Sequence, residues 1–319
     1  MATVAILSEN EVEQLRLKNY NAQLEEVTIV NDDLRILRVR ADGGAPFFEP
    51  GQYTILGLGF WEPRHEDIPD DPHTQAELHK LCKRAYSMSS PMLDDQGFLL
   101  PPTECHFLEF YVVLIRDAGD HAPALTPRLF ALEPGDRLFV GPKVTGHYTL
   151  HNVKPDDNCV FVSTGTGEAP HNAMVAQLLS NGHQGQLVSV TCTRFRHDLG
   201  YQQQHHQLEK QHENYRYLTL TTREEENLDP SAPNYVGKQY IQDYFKSGGL
   251  ERDGGLVLDP EHTHVFLCGN PAMIGAPKRL ASGELQFSEN GGMIKQLIER
   301  GFQLDLPHNE GNIHWEKYW

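Results

Sequence analysis

No stretch of this 319-residue chain approaches the ~20 uncharged apolar residues of a membrane-spanning helix. The first twenty residues, MATVAILSENEVEQLRLKNY, lack a basic lead and a following apolar run, and carry Glu9, Glu11 and Glu13. No secretory leader is expected, and a cytoplasmic location without a membrane span is the default. Cysteine is scarce: five residues, at 82, 105, 159, 192 and 268, with no C-x-x-C pair. An odd, scattered set argues against a disulfide framework and against a zinc or iron–sulfur site built by this chain. The 17 histidines include no H-E-x-x-H run, so no metal site is expected. Positive charge is also in short supply. Against 27 Lys and Arg stand 44 Asp and Glu, a net charge of −17 and the reverse of what a nucleic-acid binder presents.

What is present divides near residue 153. Residues 1–152 read as short strands: LEEVTIVNDDLRILRVRADG alternates about a turn at Asn31-Asp32-Asp33, and QYTILGLGF, FLEFYVVLI and DRLFVGPKV continue the pattern. Pro50-Gly51, Pro134-Gly135-Asp136 and Gly141-Pro142 punctuate them, which predicts a small antiparallel barrel. Residues 60–82 interrupt it as a polar insertion whose EPRHEDIPDD run, five acids against one Arg, reads as a solvated loop. Residues 153–319 alternate strand and helix, from NCVFVSTGTG and EAPHNAMVAQLLSNG to HTHVFLCGNP and MIKQLIERG, which predicts a parallel sheet.

Four short stretches carry chemistry. KRAYSMSSP (83–91) buries little by itself but offers a cationic fork at Arg84, an aromatic face at Tyr86 and hydroxyl donors, which suits a planar, phosphate-bearing ligand. STGTGEAPHN (163–172) follows a strand and opens a helix; Gly165 and Gly167 let backbone N–H groups approach an anion. It departs from G-x-G-x-x-G because position 170 is Pro. Arg194, Arg196 and Arg223 end the next two strands and Lys238 opens a helix. Each reads singly as a surface charge; together, at the carboxyl edge of a parallel sheet in an acidic chain, they favour a phosphate. CGNP (268–271) puts a soft side chain and a tight turn at that same edge, although a buried structural Cys is the plainer reading.

RAYS, GTGxAP, CGNP and the aromatic HWEKYW, in this order and spacing, resemble the ferredoxin–NADP reductase family, most nearly its bacterial branch, from about residue 22 to Trp319. The resemblance implies an FAD-binding antiparallel barrel (1–152) and a Rossmann-like NADP-binding domain (153–319). It implies electron exchange between NADP(H) and a ferredoxin or flavodoxin. It assigns FAD to Arg84, Ala85, Tyr86 and Ser87 and to Leu125-Thr126 in LTPRL, with Ser87 hydrogen-bonding near the flavin's reactive nitrogen. Thr166, between Gly165 and Gly167, would lie between flavin and nicotinamide. Arg194 fits R-x-x-x-D-L-x-Y, and Arg223 and Lys238 stand where further 2′-phosphate contacts occur. Cys268 would approach the nicotinamide, Asn270 would be among the cofactor-binding residues, Trp319 would cover the flavin, and Glu316 would assist proton handling. His171 and Asn172 stand where Phe is usual, and Gly275 and Pro277 interrupt an expected helix. Two other readings are a flavin or quinone reductase of the same superfamily and a non-catalytic flavin-binding redox module.

Overall fold

The computed structural model describes residues 7–68, 75–117, 122–280, 284–287, 291–306 and 308–318. The chain forms two compact units, Met1–Ser90 with Thr103–His147, and Pro91–Pro102 with Tyr148–Trp319.

In the first unit, alternating residues build β1 (Ala22–Asn31), β2 (Leu34–Ala41), β3 (Tyr53–Gly59), β4 (Leu81–Ser87), β5 (Leu108–Val113) and β6 (Arg137–Val140). They form one antiparallel sheet in the order β4-β3-β6-β1-β2-β5. The turn between β1 and β2 is locked by Asp33 N–H donating to Asn31 Oδ1 at 2.9 Å, the local bond that fits Asn to turns. A bridge between Ser89 and Glu109, with Ser89 N donating to Glu109 O at 2.8 Å, joins the two ends and closes the barrel. Leu24, Val39, Leu56, Leu58, Phe110, Val112 and Leu138 fill it, all fully buried. The strand β4 carries the RAYS stretch.

Two parts of this unit differ from the sequence reading. A helix, Glu9–Asn19, precedes the barrel; Ser8 and Glu11 form a reciprocal capping box, yet the helix buries none of its residues. The insertion 60–82 is not uniformly solvated. Glu62 is 7% exposed and accepts hydrogen bonds from Arg16 (2.5 and 2.9 Å), Tyr20 Oη (2.8 Å) and Trp61 Nε1 (2.9 Å). A buried carboxylate needs such partners, and here they pin the helix and the start of the insertion to the barrel. Residues 69–74 of the insertion lie outside the described residues.

In the second unit, β7 (Asn158–Thr164), β8 (Leu187–Thr193), β9 (Tyr215–Thr221), β10 (Thr263–Gly269) and β11 (Ile313–Lys317) form a parallel sheet in the order β11-β10-β7-β8-β9. Every residue of β8 and β10 is buried, as a sheet covered on both faces requires. Glu168–Ser180 and Gln202–Gln211 are the longer helices. After CGNP the helix is only Pro271–Ile274, ending at Gly275. Among the described residues no helix is long and apolar enough to cross a membrane.

Candidate functional site

In the barrel, β4 has an unusual profile: Lys83, Arg84 and Ala85 are exposed in succession, while Cys82 and Ser87 at either end are buried. A strand that covers neither face over three residues leaves both open to a ligand. Tyr86 is half-buried, its ring edge-on to Phe110 at 6.4 Å, and burial raises its phenol above the ordinary value. Among the described residues, the Arg84 guanidinium donates only to Lys83 O, at 2.8 Å. In the LTPRL turn, Leu125 lies in the core at 3% exposure, and Thr126 Oγ1 accepts from Ile115 N at 3.1 Å. Arg128 of the same turn is buried and donates to Ala124 O (2.6 Å) and Phe60 O (3.1 Å), which holds the turn in place.

In the second unit, the glycine turn and CGNP are packed backbone to backbone. Gly165 has φ +53° and open space where a side chain would project. A Cβ on Gly167 would lie 2.4 Å from the Cys268 carbonyl oxygen, so only glycine permits this approach. Asn270 N donates to Thr164 Oγ1 at 2.7 Å, and Asn270 Oδ1 caps the next helix by accepting from Ala272 N at 2.8 Å. Register pairs Cys268 with Glu316 on β11. Tyr318 completes the join, its N donating to Gly269 O (3.2 Å) and its Oη to Thr166 O (3.4 Å). Cys268 is fully buried; burial, then Glu316, pushes its thiol well above the usual value, so it stays protonated at neutral pH. Trp319 lies outside the described residues.

The cations gather at the carboxyl ends of β8 and β9. Arg194 O accepts from the backbone N of Thr222 (3.4 Å) and Arg223 (2.9 Å), and Gln239 N, next to Lys238, reaches Thr221 O at 3.3 Å. Arg194, Arg223 and Lys238 are exposed, and among the described residues none has an ionic partner. Arg196 differs: its guanidinium is paired with Glu226. Tyr240, half exposed at the head of the helix Ile241–Lys246, adds an aromatic face two residues beyond Lys238.

Behind the glycine turn lies a buried polar network that the sequence reading missed. Glu168 is 2% exposed; its Oε1 accepts from Thr191 Oγ1 (2.8 Å) and Tyr217 Oη (2.7 Å) and lies 3.2 Å from His205 Nε2. Tyr215 Oη is 2.6 Å from His205 Nδ1, and the His205 ring stacks on Tyr217 at 4.0 Å. The network ties the first turn of the helix to β8, β9 and the helix Gln202–Gln211. His171, where Phe is usual, is 2% exposed and meets Tyr148 Oη at 2.7 Å; burial lowers its pKa to about 3. Asn172 beside it is fully buried. Among the described residues no group of three or more His, Cys, Asp and Glu could hold a metal ion.

A protein-family model described as an oxidoreductase NAD-binding domain matches residues 161–279. The chain is 31% identical over 229 residues to the flavodoxin/ferredoxin–NADP reductase of Escherichia coli (strain K12), covering 71% of this chain and 76% of that protein. To the ferredoxin–NADP reductase of Azotobacter vinelandii it is 26% identical over 260 residues, covering 80% and 87%. Among solved structures, a ferredoxin NADP+ reductase from Neisseria gonorrhoeae with bound FAD and NADP has a TM-score of 0.66 at 19% identity. That likeness, over 93% of this chain and 97% of the other, is one of fold.

Proposed function

The chain belongs to the flavodoxin/ferredoxin–NADP reductase family, and from that premise we propose that it is an FAD-dependent oxidoreductase exchanging electrons between NADP(H) and a ferredoxin or flavodoxin. FAD is assigned to the barrel, residues 1–152, and NADP(H) to residues 153–319. When bound, the nicotinamide exchanges a hydride with the flavin, which passes electrons on singly.

The residues fit that pair of cofactors. On β4, the exposed Arg84 supplies a cationic fork for a pyrophosphate, Tyr86 a ring face for a flavin, and Ala85 leaves room for close approach. Ser87 would hold the flavin edge with its hydroxyl. At the second phosphate turn Leu125 is spent on the core, so contact there falls to backbone N–H groups and the Thr126 hydroxyl. Gly165, Thr166 and Gly167 present backbone at the head of a 13-residue helix, whose N-terminal dipole favours an anion. Cys268 would wall the nicotinamide as a neutral, polarizable group, with Asn270 fixing the turn and Glu316 alongside to hold a proton. Trp319 would cover the flavin face. Arg194, Arg223 and Lys238 would hold the 2′-phosphate, with Tyr240 against the adenine.

The observation that carries the reading is the set of three unpaired cations beside a glycine turn in a chain of net charge −17. Ionic partners are otherwise abundant in such a chain, so cations left without one are placed to meet an anionic ligand. Its test is an anaerobic absorbance titration of the purified flavoprotein with NADPH and then NADH. Bleaching at far lower NADPH than NADH is expected; a flavin that neither nucleotide reduces would end the proposal. The carrier and the enzyme would both be acidic, so reduction of an acidic ferredoxin should accelerate as salt rises from a low starting concentration. The location proposed with this reading is the cytoplasm, where NADP(H) and such carriers would be met.

A further inference from the structure

Of Arg194, Arg196, Arg223 and Lys238, only Arg196 has an ionic partner among the described residues. Its guanidinium pairs with Glu226, which is 8% exposed, and its backbone N donates to Glu224 Oε1 at 2.6 Å. Phe195 is extended at φ −132° and ψ 157° and separates Arg194 from Arg196, which opens a 3-10 turn at the same sheet edge. Without Glu226, Arg196 would thus join Arg194 at the edge where a phosphate is met. The Glu226 side chain has Arg196 as its partner, whereas its carbonyl oxygen accepts from Val236 N (2.8 Å) and Gly237 N (3.2 Å), just before Lys238. The backbone of residue 226 therefore builds the loop, and its carboxylate is available for another task.

Resting on the nucleotide edge proposed above, we propose that Glu226 is a specificity-determining residue: its carboxylate engages Arg196 and withholds that guanidinium from the 2′-phosphate. Discrimination between NADPH and NADH is then held below what four cations would give. The carboxylate and the phosphate compete for the same fork, and bidentate recognition of either uses the same N–H donors.

The test is calorimetric binding of 2′-phospho-AMP and 5′-AMP to the holoprotein. Glu226→Gln should tighten 2′-phospho-AMP by about two- to fivefold, the span expected for one exposed charged contact, and leave 5′-AMP unchanged. Arg196→Gln, which leaves the Glu226 carboxylate unscreened, should weaken 2′-phospho-AMP by a similar factor. Glu225→Gln is the control, because Glu225 is exposed, carries the same charge and has no ionic partner among the described residues. Equal tightening by Glu225→Gln would reduce the effect to the general field and overturn the assignment, as would no change in Glu226→Gln or equal tightening of both nucleotides. Thermal melts of each variant establish that the fold is kept. Should the wild type bind 2′-phospho-AMP no better than 5′-AMP, the nucleotide edge itself fails. Should it discriminate, and Arg223→Ala lose that discrimination while Glu226→Gln is silent, only the present inference falls.

Discussion

The two units differ in where they leave cations beside carboxylates. In the barrel, arginines are tied to carboxylates: Arg16 to Glu62 (2.5 Å), Arg38 to Glu26 and Glu109 (2.7 and 3.0 Å), Arg116 to Asp33 (2.7 Å) and Arg137 to Asp42 (2.5 Å), while Arg84 on β4 meets only a carbonyl among the described residues. In the second unit, a polar network lies inside, where Glu168, His205, Tyr215 and Tyr217 join helix to sheet, and Arg252 and Arg300 pair with Asp253 and Glu251. Among the described residues, Arg194, Arg223 and Lys238 at its carboxyl edge have no ionic partner, whereas Arg196 has one. Paired charge in the first case holds a fold whose covering segments bury little, as the helix Glu9–Asn19 shows. Unpaired charge in the second costs little in water and is free to meet an anion, which is the role proposed for it above. The same residue type can thus serve architecture or recognition, and the presence of a carboxylate partner distinguishes the two.

Breaking this contrast should cost most where backbone meets backbone. Gly167→Ala forces a Cβ to 2.4 Å from the Cys268 carbonyl and should cost about 3 kcal/mol, the upper end for overpacking, measured by denaturant unfolding. Gly165→Ala, which meets open space and only a left-handed φ, should cost about 1 kcal/mol. Arg223→Ala tests recognition: NADPH affinity should fall by roughly 10- to 150-fold, equivalent to about 1.5–3 kcal/mol, with NADH nearly unchanged in the flavin titration. Architecture is tested by Glu62→Gln, which takes the charge from three donors; a loss of about 2 kcal/mol is expected. Arg137→Gln, at an exposed pair, should cost under about 1 kcal/mol, and equal losses in these two variants would erase the distinction between anchoring and surface pairs.

The last prediction concerns pH. His171 is held neutral with a pKa of about 3 against an ordinary 6.5, so the unfolded chain binds the extra proton. Stability is then complete above about pH 6.5 and is lost as pH falls toward 3. His171→Phe should flatten that decline in melts between pH 7 and 4. At pH 7 it should cost about 1 kcal/mol for the bond given up by Tyr148. A decline of unchanged slope would place the titration elsewhere, His264 with its pKa of about 4 being the next group to examine.

Much of the fold was legible because it rests on local patterns. Alternation in LEEVTIVN and LRILRVRA marks strands, and continuous apolar runs such as THVFLCG mark a sheet covered on both faces. The glycine turn and CGNP were legible as motifs, but their contact was not, since it joins backbone atoms about a hundred residues apart. RAYS conceals its strand because three successive residues, on both faces, are exposed, so burial does not alternate along it. The helix Glu9–Asn19 has a capping box in its sequence and no apolar stripe to confirm it. Glu62 and Glu226 were hardest to see: each sits in an acidic run that composition assigns to solvent, and each is buried only because an arginine from a separate segment reaches it. Glu168 escaped notice for the related reason that its partners come from three other elements.

The bridge between Ser89 and Glu109 has a kinetic side. Among the described residues an isolated bridge, rather than a ladder, joins the two ends of the six-stranded sheet, and it lies two residues beyond the strand that carries Arg84, Tyr86 and Ser87. Such a seam is the cheapest place for the cylinder to unzip, so breathing of the barrel and loosening of β4 become one event. The amide of Ser89 is then the natural reporter: its deuterium uptake should slow whenever anything grips β4, long before the rest of the sheet registers the change.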